Sequence, residues 1–423
     1  MIIFKFGGAS VKNAQSIQNV ANILKKYYLE QEIVVVISAM DKTTNALEDL
    51  AKYATQNWES ETWNQFKKIQ NFHYQIIDEL FGENAELIKN EISVFFKELE
   101  ALAKGIMLLG DYPNRIWDKI MAYGELLSTK IIHAYLQFID IPCEWKDARQ
   151  FIITDHQYRQ ADIIWSLTTE KVKEHLQNVK KGFLIITQGY IGSTVEGITT
   201  TLGREGSDYT ASILGSILKA EKVVVWKDVQ GIMSGDPKKF SDVQKIDYLS
   251  YEQAIEMTFY GATVIHPKTI KPLKNNNIPL EVKCFLDSDA VGSWIGIPGH
   301  YNHKIPIRIL KKNVSVLSIQ PKDFSFMDET WTSTVYNYAT KAGVKVLLVQ
   351  SSAISLQLCL EFHATRNKEF ENLLNEEFWV TTQNNLILHS LLNCHQPFCF
   401  EDTIIMGQKI GKNYHWVAEK EIF

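Results

Sequence analysis

Cysteine is scarce in this 423-residue chain: Cys143, Cys284, Cys359, Cys394 and Cys399 are odd in number and scattered. Only the last two lie close together, and no matching Cys/His pair supplies zinc-ligand spacing. A disulfide framework and a structural zinc site are therefore not expected, and reduced thiols in a cytoplasmic protein are. No apolar run is long enough to span a bilayer. The opening Met1–Phe6 lacks a basic n-region and runs straight into a glycine pair, so no signal peptide is expected. Nor is charge of one sign in excess: 44 Lys and Arg face 49 Asp and Glu, for a net charge of −5. That balance gives no bulk attraction to nucleic acid or to an anionic membrane, and neither is expected as a partner. There is no low-complexity tract, and no Gly-x4-Gly-Lys-Ser/Thr phosphate loop occurs anywhere.

What is present is ample core material, 45% hydrophobic residues against 22% charged, in a length suited to two or three domains. Ile2–Phe6, Ile33–Ser38, Phe183–Thr187 and Val223–Lys227 are brief, nearly continuous apolar runs, as expected of strands covered on both faces. Between the first two, Ile17, Val20, Ala21, Leu24, Tyr27 and Tyr28 recur at helical spacing. A strand-helix-strand unit of this kind predicts a mostly parallel sheet sandwiched by helices, an α/β fold. Trp63–Leu109 predicts long amphipathic helices with a break near Phe81-Gly82, a helical insertion over about 60–110. Tyr123–Phe138 and Ser207–Lys219 predict further helices.

Character changes after about Gly299. Val314–Ile319, a helix around Thr330–Ala342 ended by Gly343, then Val344–Gln350 and Ala353–Glu361 give a β-α-β-β order, half of a β-α-β-β-α-β module. Asn385–Leu392 and Thr403–Met406 read as strands in a weaker pattern. Pro298-Gly299 and Pro306 mark a linker, so the division expected is 1–300 and 301–423.

The polar residues cluster where strands end. Lys5 stands inside an apolar strand, which is costly unless its ammonium finds a partner. Gly7 and Gly8 then let backbone N–H groups approach an anion, although a snorkelling lysine before an ordinary turn reads equally well. The segment from Thr199 through Gly203, Arg204, Glu205, Gly206, Ser207 and Asp208 to Ala211 is the most informative. Hydroxyls, glycines, a cation and an anion precede a helix whose N-terminus favours phosphate or carboxylate. An N-cap accounts for Ser207 or Asp208 singly, but not for Arg204 and the glycines. Ser38, Ala39, Thr44 and Asn45 follow the second strand, where ligands of open α/β sheets sit, though hydroxyls there often only cap a helix. Glu125, within Gly124-Glu125-Leu126-Leu127-Ser128, reads alone as a solvated face. Asp228, Gly231, Asp236 and Lys238 follow another strand and could be turn chemistry. His266, before Pro267, reads as structural.

Taken in order, these segments resemble the aspartate kinases of the amino-acid kinase family across roughly residues 1–300. The family's Lys-Phe-Gly-Gly-Thr-Ser start is similar to Lys5–Ser10, and its Ser-Ala and Thr-Asn loop to Ser38, Ala39, Thr44 and Asn45. Its Gly-Glu and Ser helix is similar to Gly124, Glu125 and Ser128, and its Thr-Thr-Thr-Leu-Gly-Arg-Gly-Gly-Ser-Asp-Tyr-Thr-Ala block to Thr199–Ala211. The resemblance implies ATP-dependent phosphorylation of the β-carboxylate of L-aspartate, the entry to lysine, threonine and methionine synthesis, with Mg²⁺ carried on the nucleotide. It implies that Lys5 and Asp208 are catalytic, and that Ser38, Thr44, Glu125 and Arg204 hold aspartate. Lys5, Gly7, Gly8, Ser10, Lys227, Asp228, Gly231, Asp236 and Lys238 would meet the nucleotide. Ala9 and Glu205 depart from the family's Thr and Gly. Lys227 stands where Thr is usual and Thr263 where a nucleotide-contacting Lys is common, a pair of changes that would move one positive charge between loops.

The C-terminal third resembles the paired, amino-acid-sensing ACT modules of the family, with the second module, Phe370–Phe423, shortened. The resemblance implies an amino-acid effector with weak or altered inhibition, and exposed ACT edges imply a homodimer or higher homo-oligomer. The competing expectations are an enzyme of the same fold acting on glutamate or acetylglutamate, and a non-catalytic amino-acid-binding subunit.

Overall fold

Ile2–Phe6 (β1) and Ile33–Ile37 (β2) are buried at every position and pair in parallel, as continuous apolar strands covered on both faces must. Between them lies a helix, Ala14–Tyr27 (α1), whose Ile17, Val20, Ala21 and Leu24 are buried and whose first turn is capped by Asn13 accepting from the Ser16 N–H. The computed structural model describes residues 1–262, 265–297, 299, 305–394 and 404–421. The chain divides into two compact units. The first comprises Met1–Ile232, Asp247–Tyr251 and Ile265–His300, and the second Met233–Ile246, Glu252–Val264 and Tyr301–Phe423.

In the first unit α2 (Thr43–Thr55) is followed by two long helices, α3 (Glu59–Phe81) and α4 (Ala85–Leu109), broken by a 3-10 turn at Gly82–Asn84. That break is where the sequence placed it. Helix α5 (Asn114–Phe138) starts nine residues before the predicted Tyr123. Then come β3 (Cys143–Lys146), α6 (Trp165–Leu176), β4 (Leu184–Gln188), the antiparallel pair β5 (Ile191–Ser193) and β6 (Thr199–Thr201), α7 (Gly206–Ile217) and β7 (Lys222–Lys227). After the short strands β8 (Ile232–Met233), β9 (Lys245–Ile246) and β10 (Tyr248–Leu249) follow α8 (Tyr251–Phe259), α9 (Pro267–Asn275), β11 (Leu280–Cys284) and β12 (Ser293–Ile295), of which β9 and α8 beyond Tyr251 belong to the second unit. One eight-stranded sheet results, ordered β10-β12-β11-β7-β1-β2-β4-β3 and parallel except where β12 meets β11. The polar segments at Gly7-Gly8, Ser38–Asn45 and Asp228 therefore follow the carboxyl ends of β1, β2 and β7, three neighbours in one parallel sheet, while Thr199–Ala211 runs from β6 into α7. His266 caps α9 by accepting from the Lys268 N–H, a structural role as expected. Cys143, Cys284 and Cys359 are buried free thiols.

The second unit carries an antiparallel six-stranded sheet, ordered β14-β15-β13-β16-β18-β17. Its chain order is β13 (Ile307–Pro321), α10 (Glu329–Ala342), β14 (Val346–Ser351), β15 (Leu356–Glu361), α11 (Ala364–Leu374) and β16 (Phe378–Leu392), then β17 (Met406–Ile410) and β18 (Asn413–Ala418). Asp328 caps α10 and Gly343, at φ 66°, ends it. The half pattern read over Val314–Glu361 thus continues into α11 and β16, completing one β-α-β-β-α-β module. Helix α11 gave little signal because it buries only Asn367, Phe370 and Leu374. The tail adds β18 against β16 and β17 against β18. Thr403, the predicted start of a strand there, lies outside the described residues.

Candidate active site

Strand β1 carries Lys5 opposite Val36 of β2 and Val225 of β7, so an apolar sheet surrounds its stem. The side chain is only 8% exposed, and its ammonium sits 2.6 Å from Asp208 Oδ1. Asp208 lies in the first turn of α7, where the helix macrodipole also favours an anion. It is not the N-cap: Glu205 holds that position at φ 54° and makes no side-chain cap. Lys227, the last residue of β7, brings a second ammonium to 3.9 Å from Asp208 Oδ2. Burial pushes the Asp208 carboxyl up, but Lys5 and Lys227 outweigh it and hold the group below its ordinary range. Two ammoniums thus approach one buried carboxylate, a cationic end that suits a transferring phosphoryl group.

Behind β1 the chain turns tightly. A Cβ on Gly8 would stand 2.9 Å from the Ala39 carbonyl and 3.0 Å from that of Asp41, so only glycine lets this turn meet the loop after β2. A Cβ on Gly7 would come 3.3 Å from Lys5 Nζ. The loop after β2 presents the Ala39 N–H to Glu125 Oε1 at 3.2 Å. Glu125, midway along α5, is 3% exposed, and its second oxygen, Oε2, is buried with no hydrogen-bond partner. Burial pushes its carboxyl up to about 8 against the pull of the Ala39 N–H and Lys5. An orphaned carboxylate oxygen of this kind is a receptor for a cationic donor.

These groups line one cavity of about 590 Å³. It brings together the predicted Lys5, Gly8, Ser38, Thr44, Glu125, Arg204, Asp208 and Lys227. Gly7 and Ser10 do not line it; the Ser10 hydroxyl is buried and donates to the Trp226 carbonyl at 3.4 Å. Asp228 is exposed just past β7, and Gly231 is buried with φ 147°. Asp236 and Lys238 belong to the second unit, where Asp236 Oδ1 accepts from the Lys238 N–H at 2.9 Å. Thr263 lies outside the described residues. Five further lining residues, Asp41, Trp117, Arg159, Gln160 and Tyr190, had not been singled out, nor had Asp118 just behind them. Trp117 and Asp118 fall in the first two turns of α5, upstream of the predicted start at Tyr123, although Ile116, Trp117, Ile120 and Met121 continue the helical apolar spacing into them. Nothing in the polar run around Arg159 distinguishes it from an ordinary loop.

The family model for the amino acid kinase family matches residues 1–284. Lysine-sensitive aspartokinase 3 of Escherichia coli is 30% identical over 85% of this chain and 78% of its own length. The bifunctional aspartokinase/homoserine dehydrogenase 2 of Arabidopsis thaliana is 28% identical over 84% of this chain, which spans only 39% of that relative. Among solved structures, E. coli aspartokinase III in complex with aspartate and ADP, in its R-state, superposes with a TM-score of 0.84 at 26% identity, covering 99% of this chain and 96% of that one. With its parallel sheet, strand-end lysines and buried glutamate, the chain belongs to the amino acid kinase family, and within it to the aspartokinases.

Proposed function

We propose that this chain transfers the γ-phosphoryl group of ATP to the β-carboxylate of L-aspartate, giving 4-phospho-L-aspartate and ADP. The observation that carries the reading is one cavity holding a two-lysine, one-aspartate cluster together with an unpartnered glutamate oxygen. A β-carboxylate is ionised at neutral pH and needs no general base. One of its oxygens bonds to the γ-phosphorus as the bond from that phosphorus to the bridging oxygen of ADP breaks. The transfer needs alignment and relief of repulsion between two anions, which Lys5 and Lys227 supply, while Asp208 fixes both ammoniums. Arg204 pairs its planar fork with the α-carboxylate, and Glu125 Oε2 accepts from the α-ammonium, with Ser38 and Thr44 as neighbours. Asp228 and Gly231, which follow β7, are assigned to the nucleotide.

The oxygen donors of the ATP phosphates suit Mg²⁺, which this reading brings in on the nucleotide. Mg²⁺ so carried supplies further charge neutralisation.

ATP turnover with L-aspartate, trapping the acyl phosphate with hydroxylamine, tests the reading. Hydroxamate from glutamate or acetylglutamate but none from aspartate would overturn it. An acetylated substrate would offer Glu125 Oε2 a neutral amide N–H, a weaker donor to it than an ammonium. Lys227→Ala is expected to raise KM for ATP about tenfold, the order of one charge-assisted contact; an unchanged value would remove Lys227 from the nucleotide site. The second unit is assigned to sensing an amino-acid effector on the strength of its β-α-β-β-α-β module, and inhibition measured with lysine beside threonine tests that assignment.

A further inference from the structure

Arg159 occupies a conformation that a non-glycine residue does not adopt freely. Its φ is 71°, in the left-handed region that costs an L side chain strain. The surroundings over-determine it. Its backbone N–H donates to both oxygens of Asp118, at 2.9 and 3.1 Å. Asp118 is fully buried, and the same carboxylate accepts from the Thr201 N–H and the Thr201 hydroxyl, each at 2.9 Å. The Ala161 N–H returns to the Thr201 carbonyl at 2.9 Å. Gly203, at φ 78°, lies so close that a Cβ there would stand 2.9 Å from Gln160 Cγ and 3.1 Å from the Arg159 carbonyl. The loop bearing Arg159 and the segment bearing Arg204 are thus knitted together around one buried carboxylate.

Both arginines are exposed and line the same cavity. The Arg159 guanidinium lies over the Trp117 ring, 4.8 Å from its centroid, and Trp117 lines the cavity as well. Arginine ion pairs among the described residues are Arg149 with Asp147 and Arg308 with Asp242, so both cavity guanidiniums keep their forks open. Asp118 and Glu125 sit about two turns apart on α5, a spacing that puts them on one helix face. The anchor of Arg159 and the acceptor for a substrate ammonium therefore come from the same surface. An α-amino acid carries its ammonium and α-carboxylate on one carbon, so a receptor for the second belongs beside a receptor for the first.

We propose that Arg159 is a second guanidinium for the α-carboxylate of the amino-acid substrate, acting with Arg204, and that Asp118 is the positioning residue that holds both segments. The inference rests on the aspartokinase reading and adds a specificity determinant to it. Two forks on the α-carboxylate fix the substrate's orientation and leave the β-carboxylate to the lysine end.

Arg159→Gly is the decisive variant, because it removes the guanidinium while relieving the left-handed backbone. In steady-state kinetics of the full chain, KM for L-aspartate is expected to rise about tenfold, with kcat and KM for ATP within about twofold. Arg159→Lys recovers part of the loss, keeping the charge without the fork. The preference of the wild type for L-aspartate over its α-amide narrows by a similar factor in Arg159→Gly. Asp118→Asn also raises KM for aspartate, and by less in the Arg159→Gly background than in the wild type. An unchanged KM for aspartate in Arg159→Gly, or a loss that falls on ATP, would overturn the role of Arg159. Equal effects of Asp118→Asn in both backgrounds would overturn its positioning role. A wild type that makes no hydroxamate from aspartate would instead remove the underlying reading, so the failures are distinguishable.

Discussion

Replacing Lys5 with methionine is expected to lower kcat by about 10³-fold while leaving a folded protein. The ammonium sits within an ion pair at 2.6 Å that is almost sealed from water, where charge acts most strongly on developing charge. The same burial makes the substitution destabilising, since breaking one partner of a buried pair costs about 3–5 kcal/mol. Lys227, 3.9 Å from the other oxygen of Asp208, offsets part of that cost by remaining as counter-ion. Asp208→Asn is expected to destabilise as well, by leaving two ammoniums facing each other without their carboxylate. The two roles separate in a double-mutant cycle. If Asp208 acts through the lysines, the catalytic losses of Lys5→Met and Asp208→Asn combine to much less than their product. Independent, multiplying losses would assign Asp208 a direct contact of its own with the transferring group. A Lys5→Met protein that retains a tenth of wild-type kcat would exclude Lys5 from the phosphoryl-transfer machinery.

The site's legibility followed from chain geometry. Lys5 and Lys227 could be found because they interrupt or end an unambiguous apolar strand, where a charge stands out, and Asp208 because it stands with hydroxyls, glycines and Arg204 at the start of a helix. Glu125 read alone as a solvated face, since helical periodicity cannot say that the loop after β2 will cover it; it is in fact buried against the Ala39 N–H. Asp118 and Arg159 were invisible for a related reason. A lone carboxylate beside Lys119 in the opening turns of a helix looks like a surface group, and only the return of Thr201 and the Arg159 loop buries it. The positive φ of Arg159 leaves no trace in composition either, because the residue that usually announces such a backbone is glycine or asparagine. In the second unit the completing helix α11 was missed because it buries only Asn367, Phe370 and Leu374, too sparse an apolar face to stand out.

Glu125→Gln is expected to stabilise the substrate-free protein and to cripple its affinity for aspartate, two opposite effects of one burial. The folded-state pKa of Glu125 is raised to about 8 from an ordinary value of 4.5. Below about pH 4.5 the carboxyl is protonated in both folded and unfolded chains and contributes nothing differential. Between 4.5 and 8 the unfolded chain has released this proton while the folded chain keeps it. Stability therefore falls through that window, by about 1.4 kcal/mol per pH unit from this group alone, and levels off above 8. Glutamine carries no such penalty, so the Tm of Glu125→Gln should exceed that of the wild type at pH 8 and converge with it towards pH 5. With aspartate present the order reverses. The substrate ammonium beside Oε2 favours the ionised form, so binding at pH 7 drives off close to one proton, read as a buffer-dependent enthalpy in calorimetry. In the wild type, aspartate affinity should improve up to tenfold per pH unit on approaching pH 8, and proton release should fade above it. In Glu125→Gln both the proton release and the pH dependence should vanish, with affinity lower by about two orders of magnitude at pH 8. Aspartate binding with no proton release at pH 7 would mean that Glu125 is not the ammonium receptor.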